Sequence, residues 1–142
     1  MKRLHTLLAS SLLVFSALAC AAGAADGDVL VIANPSVPAL DTATVSRLYT
    51  GRAIEVAGNP VTVVNAAAGS SVRQRFLSRY LQQDEEKYRA YWTVRRHVGK
   101  GVPPRELKTS AEVIDYVQST PGAIGYIDVA DLKPGLKVVL RP

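Results

Sequence analysis

The sequence predicts a three-layer α/β domain built on a mostly parallel sheet. Three observations carry that expectation: short apolar, partly β-branched runs near residues 29–33, 61–65 and 123–127, helical-period stretches between them, and Gly or Pro at most junctions. With 142 residues, 48% hydrophobic and 20% charged, the composition suits one compact globular domain and excludes collagen-like or disordered classes.

The elements follow in order. Met1, Lys2 and Arg3 precede an apolar stretch ending at Ala22-Gly23-Ala24, the pattern of a secretory signal removed before Ala25. Ser10, Ser11 and Ser16 interrupt that stretch, which falls short of the ~20 residues that span a bilayer. Lipoprotein processing at Cys20 is the lesser alternative, because Ala17-Leu18-Ala19-Cys20 carries Ala where such boxes usually carry Leu. The expected organisation is therefore a signal peptide over 1–24 and one domain over 25–142. Loss of Lys2 and Arg3 lowers the formal net charge from +5 to +3, and loss of Cys20 leaves no thiol for a disulfide or a Cys-based zinc site. A weakly basic exported domain argues against nucleic acid as partner and remains compatible with small anions.

Residues 29–33 form an unbroken apolar run, as expected of a strand covered on both faces, and Asn34-Pro35 ends it. Asp41 suits the N-cap of a helix carrying Val45, Leu48 and Tyr49, which Gly51 stops. Gly58-Asn59-Pro60 reads as a turn before a second strand at 61–65, so the opening pattern is βαβ. A helix is expected over 71–82 on the spacing of Val72, Phe76 and Tyr80, with Leu77 and Leu81 beside them. Another covers 84–96, with Asp84, Glu85 and Glu86 at its electropositive end and a Tyr88, Tyr91, Trp92 stripe that reads as core. Gly99-Lys100-Gly101-Val102-Pro103-Pro104 is a loop, Ser110 caps a helix carrying Val113, Ile114 and Val117, and Pro121-Gly122 stops it before the strand at 123–127. A last strand is expected over 136–140.

Ligands of open α/β sheets sit beyond the carboxyl ends of strands, which directs attention to residues 34–36, 65–71 and 128. The most informative stretch passes from a strand through Asn65-Ala66-Ala67-Ala68-Gly69-Ser70-Ser71 directly into a helix. A helix start has unpaired N–H groups and partial positive charge, so with the two hydroxyls it suits a tetrahedral oxyanion, and the small side chains allow close approach. The plainer alternative is that Ser70 simply caps the helix. Arg73 and Arg75 tilt the balance, because cations in a first helical turn cost about 0.3–1 kcal/mol and a nearby anion would reverse that. Gly69, Ser70, Ser71 and Arg73 are thus the expected anion site, with Asn65, Ser36 and Lys100 as candidates for further contacts. Arg95 and Arg96 beside Lys100 read as a solvated helix end. His97 is the sole histidine after export and forms no metal pair, no G-x-S-x-G elbow surrounds the serines, and Gly99-Lys100-Gly101 lacks Walker spacing. Neither a catalytic centre nor a cofactor site is expected.

Several motifs then occur in a familiar order: Leu48-Tyr49-Thr50-Gly51-Arg52, Gly69-Ser70-Ser71-Val72-Arg73-Gln74-Arg75-Phe76, Tyr91-Trp92, Gly99-Lys100-Gly101 with Pro103-Pro104, and Pro121-Gly122-Ala123-Ile124-Gly125-Tyr126-Ile127. In them the chain resembles the small, one-lobe relatives of the phosphate-binding protein of phosphate ABC transporters, over nearly all of 25–142. The resemblance implies a single lobe of the type II periplasmic-binding-protein fold, a periplasmic location, and a non-enzymatic role in uptake or sensing beside an ABC permease or membrane sensor. It implies that Gly69, Ser70 and Ser71 match the donors of the family's phosphate loop and that Arg73 matches an Arg of the small relatives. Full-length members carry an Arg-Ser-Asp-Gly-Ser-Gly-Thr type of loop, whose Arg and Asp this chain lacks. They also close two lobes over the anion, so a single lobe is expected to bind weakly unless a second copy, as in a homodimer, or a partner covers the site. The rival expectation is a periplasmic adaptor module that has lost ligand binding.

Overall fold

The computed structural model describes residues 27–142, so the expected signal segment and Cys20 lie outside the described residues. Five strands form the main sheet: β1 (Val29–Ala33), β4 (Thr62–Ala66), β5 (Arg105–Leu107), β6 (Ala123–Asp128) and β7 (Lys137–Leu140), in the order β5-β4-β6-β1-β7. Between β1 and β4 come α1 (Thr42–Tyr49) and the small hairpin β2 (Glu55–Val56) and β3 (Asn59–Pro60). Next is α2 (Ser71–Phe76), continued without a break by a π-helical turn (Leu77–Leu81), then α3 (Glu85–His97) and, after β5, α4 (Ser110–Ser119).

β4 runs parallel to β5 and β6, while β1 is antiparallel to both β6 and β7. Four strands therefore share one direction and β1 alone is reversed, which makes the sheet mostly parallel, as expected. The βαβ reading of the opening segment is corrected: β1 and β4 run in opposite directions, with β6 between them. All five residues of β1 are buried. A central strand covered on both faces is apolar whichever way its neighbours run, so the run revealed its burial and not its direction.

The three layers are visible in the core. Val29, Val31 and Ala33 pack with Val45, Leu48, Tyr49, Phe76, Tyr80, Tyr88 and Trp92 of the first three helices. Ile32, Val64 and Ile127 pack with Val113, Ile114 and Val117 of α4 on the other face. Val31 and Ala33 fall in the first cluster and Ile32 between them in the second, as alternation along a strand demands. The chain crosses outward from β4 to β5 over the first face and returns to β6 over the second, so both crossovers have the same hand.

Asp41 and Asp84 cap α1 and α3 by accepting from Thr44 N at 2.6 Å and Lys87 N at 2.8 Å. Thr109, not Ser110, caps α4: its backbone is extended and its hydroxyl accepts from Glu112 N at 3.1 Å, while Ser110 is already helical and donates to Asp131. Adjacent hydroxyls are equivalent caps on paper, and the backbone conformation decides between them. The expected turn at 58–60 is also shifted. Ala57 and Gly58, both at positive φ, make the hairpin turn, and Asn59–Pro60 pairs with β2. β5 was not expected, because three residues are too short to show a period.

The glycines of the Pro121–Ile127 motif have steric reasons. A Cβ on Gly122, at φ +76°, would lie 2.6 Å from the Pro60 carbonyl oxygen, and one on Gly125 would lie 2.7 Å from Val113 Cγ1 and 3.2 Å from Val117 Cγ2. At Gly125 the side chains of α4 lie directly against the sheet. Gly125→Ala is expected to overpack that contact and lower stability by about 1–3 kcal/mol, seen as a lower urea midpoint with an unchanged denaturant slope.

Candidate functional site

β4 ends at Asn65 and Ala66, and the chain turns through Ala67–Ser70 into α2. Both the amide and the hydroxyl of Ser70 donate to the Ala67 carbonyl, at 3.1 and 2.7 Å, which closes a tight turn. Ser70 occupies the N-cap position with an extended backbone, yet its side chain does not cap the helix. The other three α-helices are capped by side chains. Consequently the Arg73 amide, the one such a cap would serve, donates to no acceptor among the described residues, and neither do those of Ser71 and Val72 before it; the next bond back to this turn is from Gln74 N to Ser70 O. Gly69, at φ +77°, has no atom near its Cβ position, so the space above the turn is open. The Ser71 hydroxyl is exposed and accepts from Arg75 Nε at 3.3 Å.

Arg73 does not join this group. Its side chain is 3% exposed. Nε and Nη2 grip Glu85 in a bidentate pair at 2.9 and 2.8 Å, while Nη1 donates to Glu106 at 2.7 Å and to the Ala66 carbonyl at 3.1 Å. Those bonds take up nearly the whole donor capacity of a guanidinium. The Tyr88 ring lies beneath it, 5.5 Å from centroid to Cζ. Burial opposes its charge, but Glu106 and Glu85 outweigh that effect and raise its pKa. The expectation that Arg73 faces an anion is therefore corrected. Arg73, Phe76, Leu77 and Tyr80 share the i, i+3, i+4, i+7 spacing of a single buried stripe, and all four are buried. That periodicity was the available signal for an inward arginine. Its partners Glu85 and Glu106 come from other elements and carried no local signature.

Arg75 is also engaged. It donates to Asp128 at 2.6 Å and to the Gly27 carbonyl. A hydrogen bond from Ala130 N and then the Arg75 guanidinium hold the Asp128 carboxyl below the usual carboxylate range. Asp128 thus stands near the start of α2, as its position at the end of β6 suggested.

Asn65 reaches the same end of the sheet but faces inward. It is 1% exposed, donates to the Tyr88 hydroxyl at 3.2 Å and accepts from Tyr126 at 3.1 Å. Tyr126 Oη in turn accepts from Ala66 N, and Tyr88 Oη donates to the Tyr49 carbonyl. Tyr126 stacks on Phe76 with centroids 3.8 Å apart, and burial pushes its phenol well up. This Asn–Tyr network anchors the turn from beneath, so Asn65 supports the turn instead of lining it.

Ser36 lies at the other end of the sheet, because β1 is reversed. It accepts from Gly122 N at 3.0 Å and donates to Asn34 Oδ1 at 2.9 Å, beside the beginning of β6. The five residues of β1 separate the two ends by about 17 Å. Lys100 is exposed on the turn after α3, where its backbone exchanges hydrogen bonds with Arg95. Of the expected site, Gly69, Ser70 and Ser71 come together; Ser36 stands apart, and no bond among the described residues ties Lys100 to the group.

What remains at the start of α2 is a cluster of backbone donors and the Ser71 hydroxyl, with no free cation of its own among the described residues. Such a cluster can hold an oxyanion through N–H and O–H bonds and the helix dipole.

No protein-family model matches the chain, and no curated protein matches it in sequence. Solved structures match it in fold. An ABC-type phosphate transport receptor from Vibrio cholerae is 17% identical with a TM-score of 0.60, a Clostridium perfringens protein solved with bound phosphate 21% with 0.61, and PstS from Borrelia burgdorferi 15% with 0.59. Each match covers 80% of this chain but 45%, 44% and 46% of the respective structures, so the chain spans less than half their length. The chain has the α/β fold of one part of these proteins.

Removing a partner from a buried ion pair leaves the other charges unsupported. Arg73→Ala is accordingly expected to cost about 3–5 kcal/mol of stability, whereas Glu106→Gln, at a half-exposed carboxylate, is expected to cost less than about 1 kcal/mol. Equilibrium unfolding of the two variants checks the ranking.

Proposed function

We propose that this chain is an exported, non-enzymatic solute-binding domain that recognises phosphate or a similar tetrahedral oxyanion, in uptake or sensing beside a membrane permease or sensor. The observation that carries this reading is the uncapped start of α2. There the amides of Ser71 and Val72 lack acceptors among the described residues, under the open turn at Gly69 and Ser70. The fold shared with phosphate-transport proteins supports it, as does the signal-like character of residues 1–24. On this reading the anion is bound by the amides of Ser71 and Val72 and the hydroxyl of Ser71, while the Ser70 hydroxyl, bonded to the Ala67 carbonyl, holds the turn. Arg73 holds the frame from behind.

Affinity is set by what surrounds the seat. Hydrogen bonds to an anion weaken where water competes, and this domain offers one wall of a cleft. Tight binding then needs a second copy or a partner over the Gly69 turn. A second reading, an adaptor without a ligand, is favoured by one specific observation: both arginines of the first turn are paired, Arg73 with Glu85 and Glu106 and Arg75 with Asp128.

Ser71→Pro separates the two readings. Proline is tolerated at the first helical position, and the extended backbone of Ser70, at φ −69° and ψ 146°, suits a residue before proline. The substitution deletes two donors of the seat, the Ser71 amide and the Ser71 hydroxyl, without breaking the helix. Calorimetric titration with phosphate is expected to show binding to the parent and about tenfold weaker binding to Ser71→Pro. Absence of binding to the parent favours the adaptor, and equal binding by both proteins removes the seat.

A further inference from the structure

α3 carries two unlike sets of cations. Arg95 is fastened to the Gly51 and Lys100 carbonyls and lies 5.6 Å from the centroids of both the Tyr91 and Trp92 rings. Arg89, Arg96 and His97 project from a different face at i, i+7 and i+8, and all three are exposed. No ion pair among the described residues uses Arg89 or Arg96. From Lys87 to Arg105 the sequence has six Lys or Arg and no Asp or Glu.

The helix dipole accounts for cations in the last turn, where Arg96 and His97 stand. It does not account for Arg89, in the middle of the helix, nor for what the three side chains enclose. Together they line a cleft of about 630 Å³ with the buried Tyr88 and Trp92 and the part-buried Pro103. Trp92 Nε1 is buried near the Tyr88 hydroxyl and makes no hydrogen bond of good geometry among the described residues. The Arg73–Glu106 pair closes one side, and with Glu85 included three guanidiniums still face two carboxylates. Gly69, Ser70 and Ser71 do not line this cleft.

Volume and lining define the guest. Clefts of about 300–1,000 Å³ accept small organic molecules, and a bare tetrahedral anion would leave most of this one filled with water. Aromatic and proline walls favour an apolar body, and guanidiniums favour an acidic group at one end. We infer that the cleft between α3 and β5 is a second binding site, separate from the start of α2, for an organic acid: a carboxylate or phosphate monoester on a flat apolar body. Its acidic group lies on Arg89 and Arg96, and its body rests against Trp92 and Pro103.

Trp92 is the single tryptophan of the chain, so its emission reports on this cleft directly. Phenyl phosphate and benzoate serve as probes, with neutral benzamide and inorganic phosphate at matched ionic strength as controls. At least one of the two acids is expected to produce a saturable change in Trp92 emission, and neither control is. The double variant Arg89→Gln, Arg96→Gln is expected to bind at least about tenfold more weakly, with its thermal midpoint unchanged because both side chains are exposed. Ser71→Pro is expected to respond like the parent, which keeps this site distinct from the seat at α2. The inference is overturned if neither acid gives a saturable change, if benzamide or inorganic phosphate gives the same one, or if the double variant retains full affinity.

Discussion

A guanidinium enclosed by two carboxylates organises the carboxyl end of the sheet. Arg73 of α2 binds Glu85 at the start of α3, Glu106 of β5 and the Ala66 carbonyl at the end of β4, so one side chain ties four elements together. The desolvation of such a group is offset only where its geometry satisfies nearly every donor, which is the arrangement here. Two consequences follow for function. The turn that carries Gly69 and Ser70 rests on a fixed base, and the charge a sequence reader would assign to an anion has been neutralised from within.

This neutralisation shapes what the start of α2 can do. A seat made of amides and a hydroxyl depends on dipoles, and dipoles discriminate weakly among oxyanions of similar shape. On the proposed reading, sulfate therefore competes with phosphate, and selectivity comes from whatever closes over the Gly69 turn. The chain spans less than half the length of the phosphate-transport proteins that share its fold. On the same proposed reading, the open space over the Gly69 turn is where a second copy or a partner would close.

Much of the architecture was legible in the sequence because its signals are local. The apolar run of β1, the caps Asp41 and Asp84 and the helical stripes of α1, α3 and α4 each depend on residues within a turn or two of one another. Strand direction is not local. The reversal of β1 placed Ser36 beside Gly122 instead of near Ser71, and nothing in residues 29–36 encodes that. Asn65 and Arg73 show the same limit. Each is a polar residue beside a suggestive loop, and each was claimed by side-chain partners 12 to 61 positions away, Glu85 and Tyr126 among them. For Arg73 the helical period did point inward, since it shares a stripe with Phe76, Leu77 and Tyr80.

The account rests on the claim that backbone amides, and not the Arg73 guanidinium, receive the anion. Nitrogen-15 NMR during a phosphate titration observes both kinds of N–H in one spectrum. Saturable shifts at the Ser71 and Val72 amides with a stationary Arg73 Nε–H signal are the predicted result. A moving Arg73 Nε–H beside unmoved Ser71 and Val72 amides would contradict it.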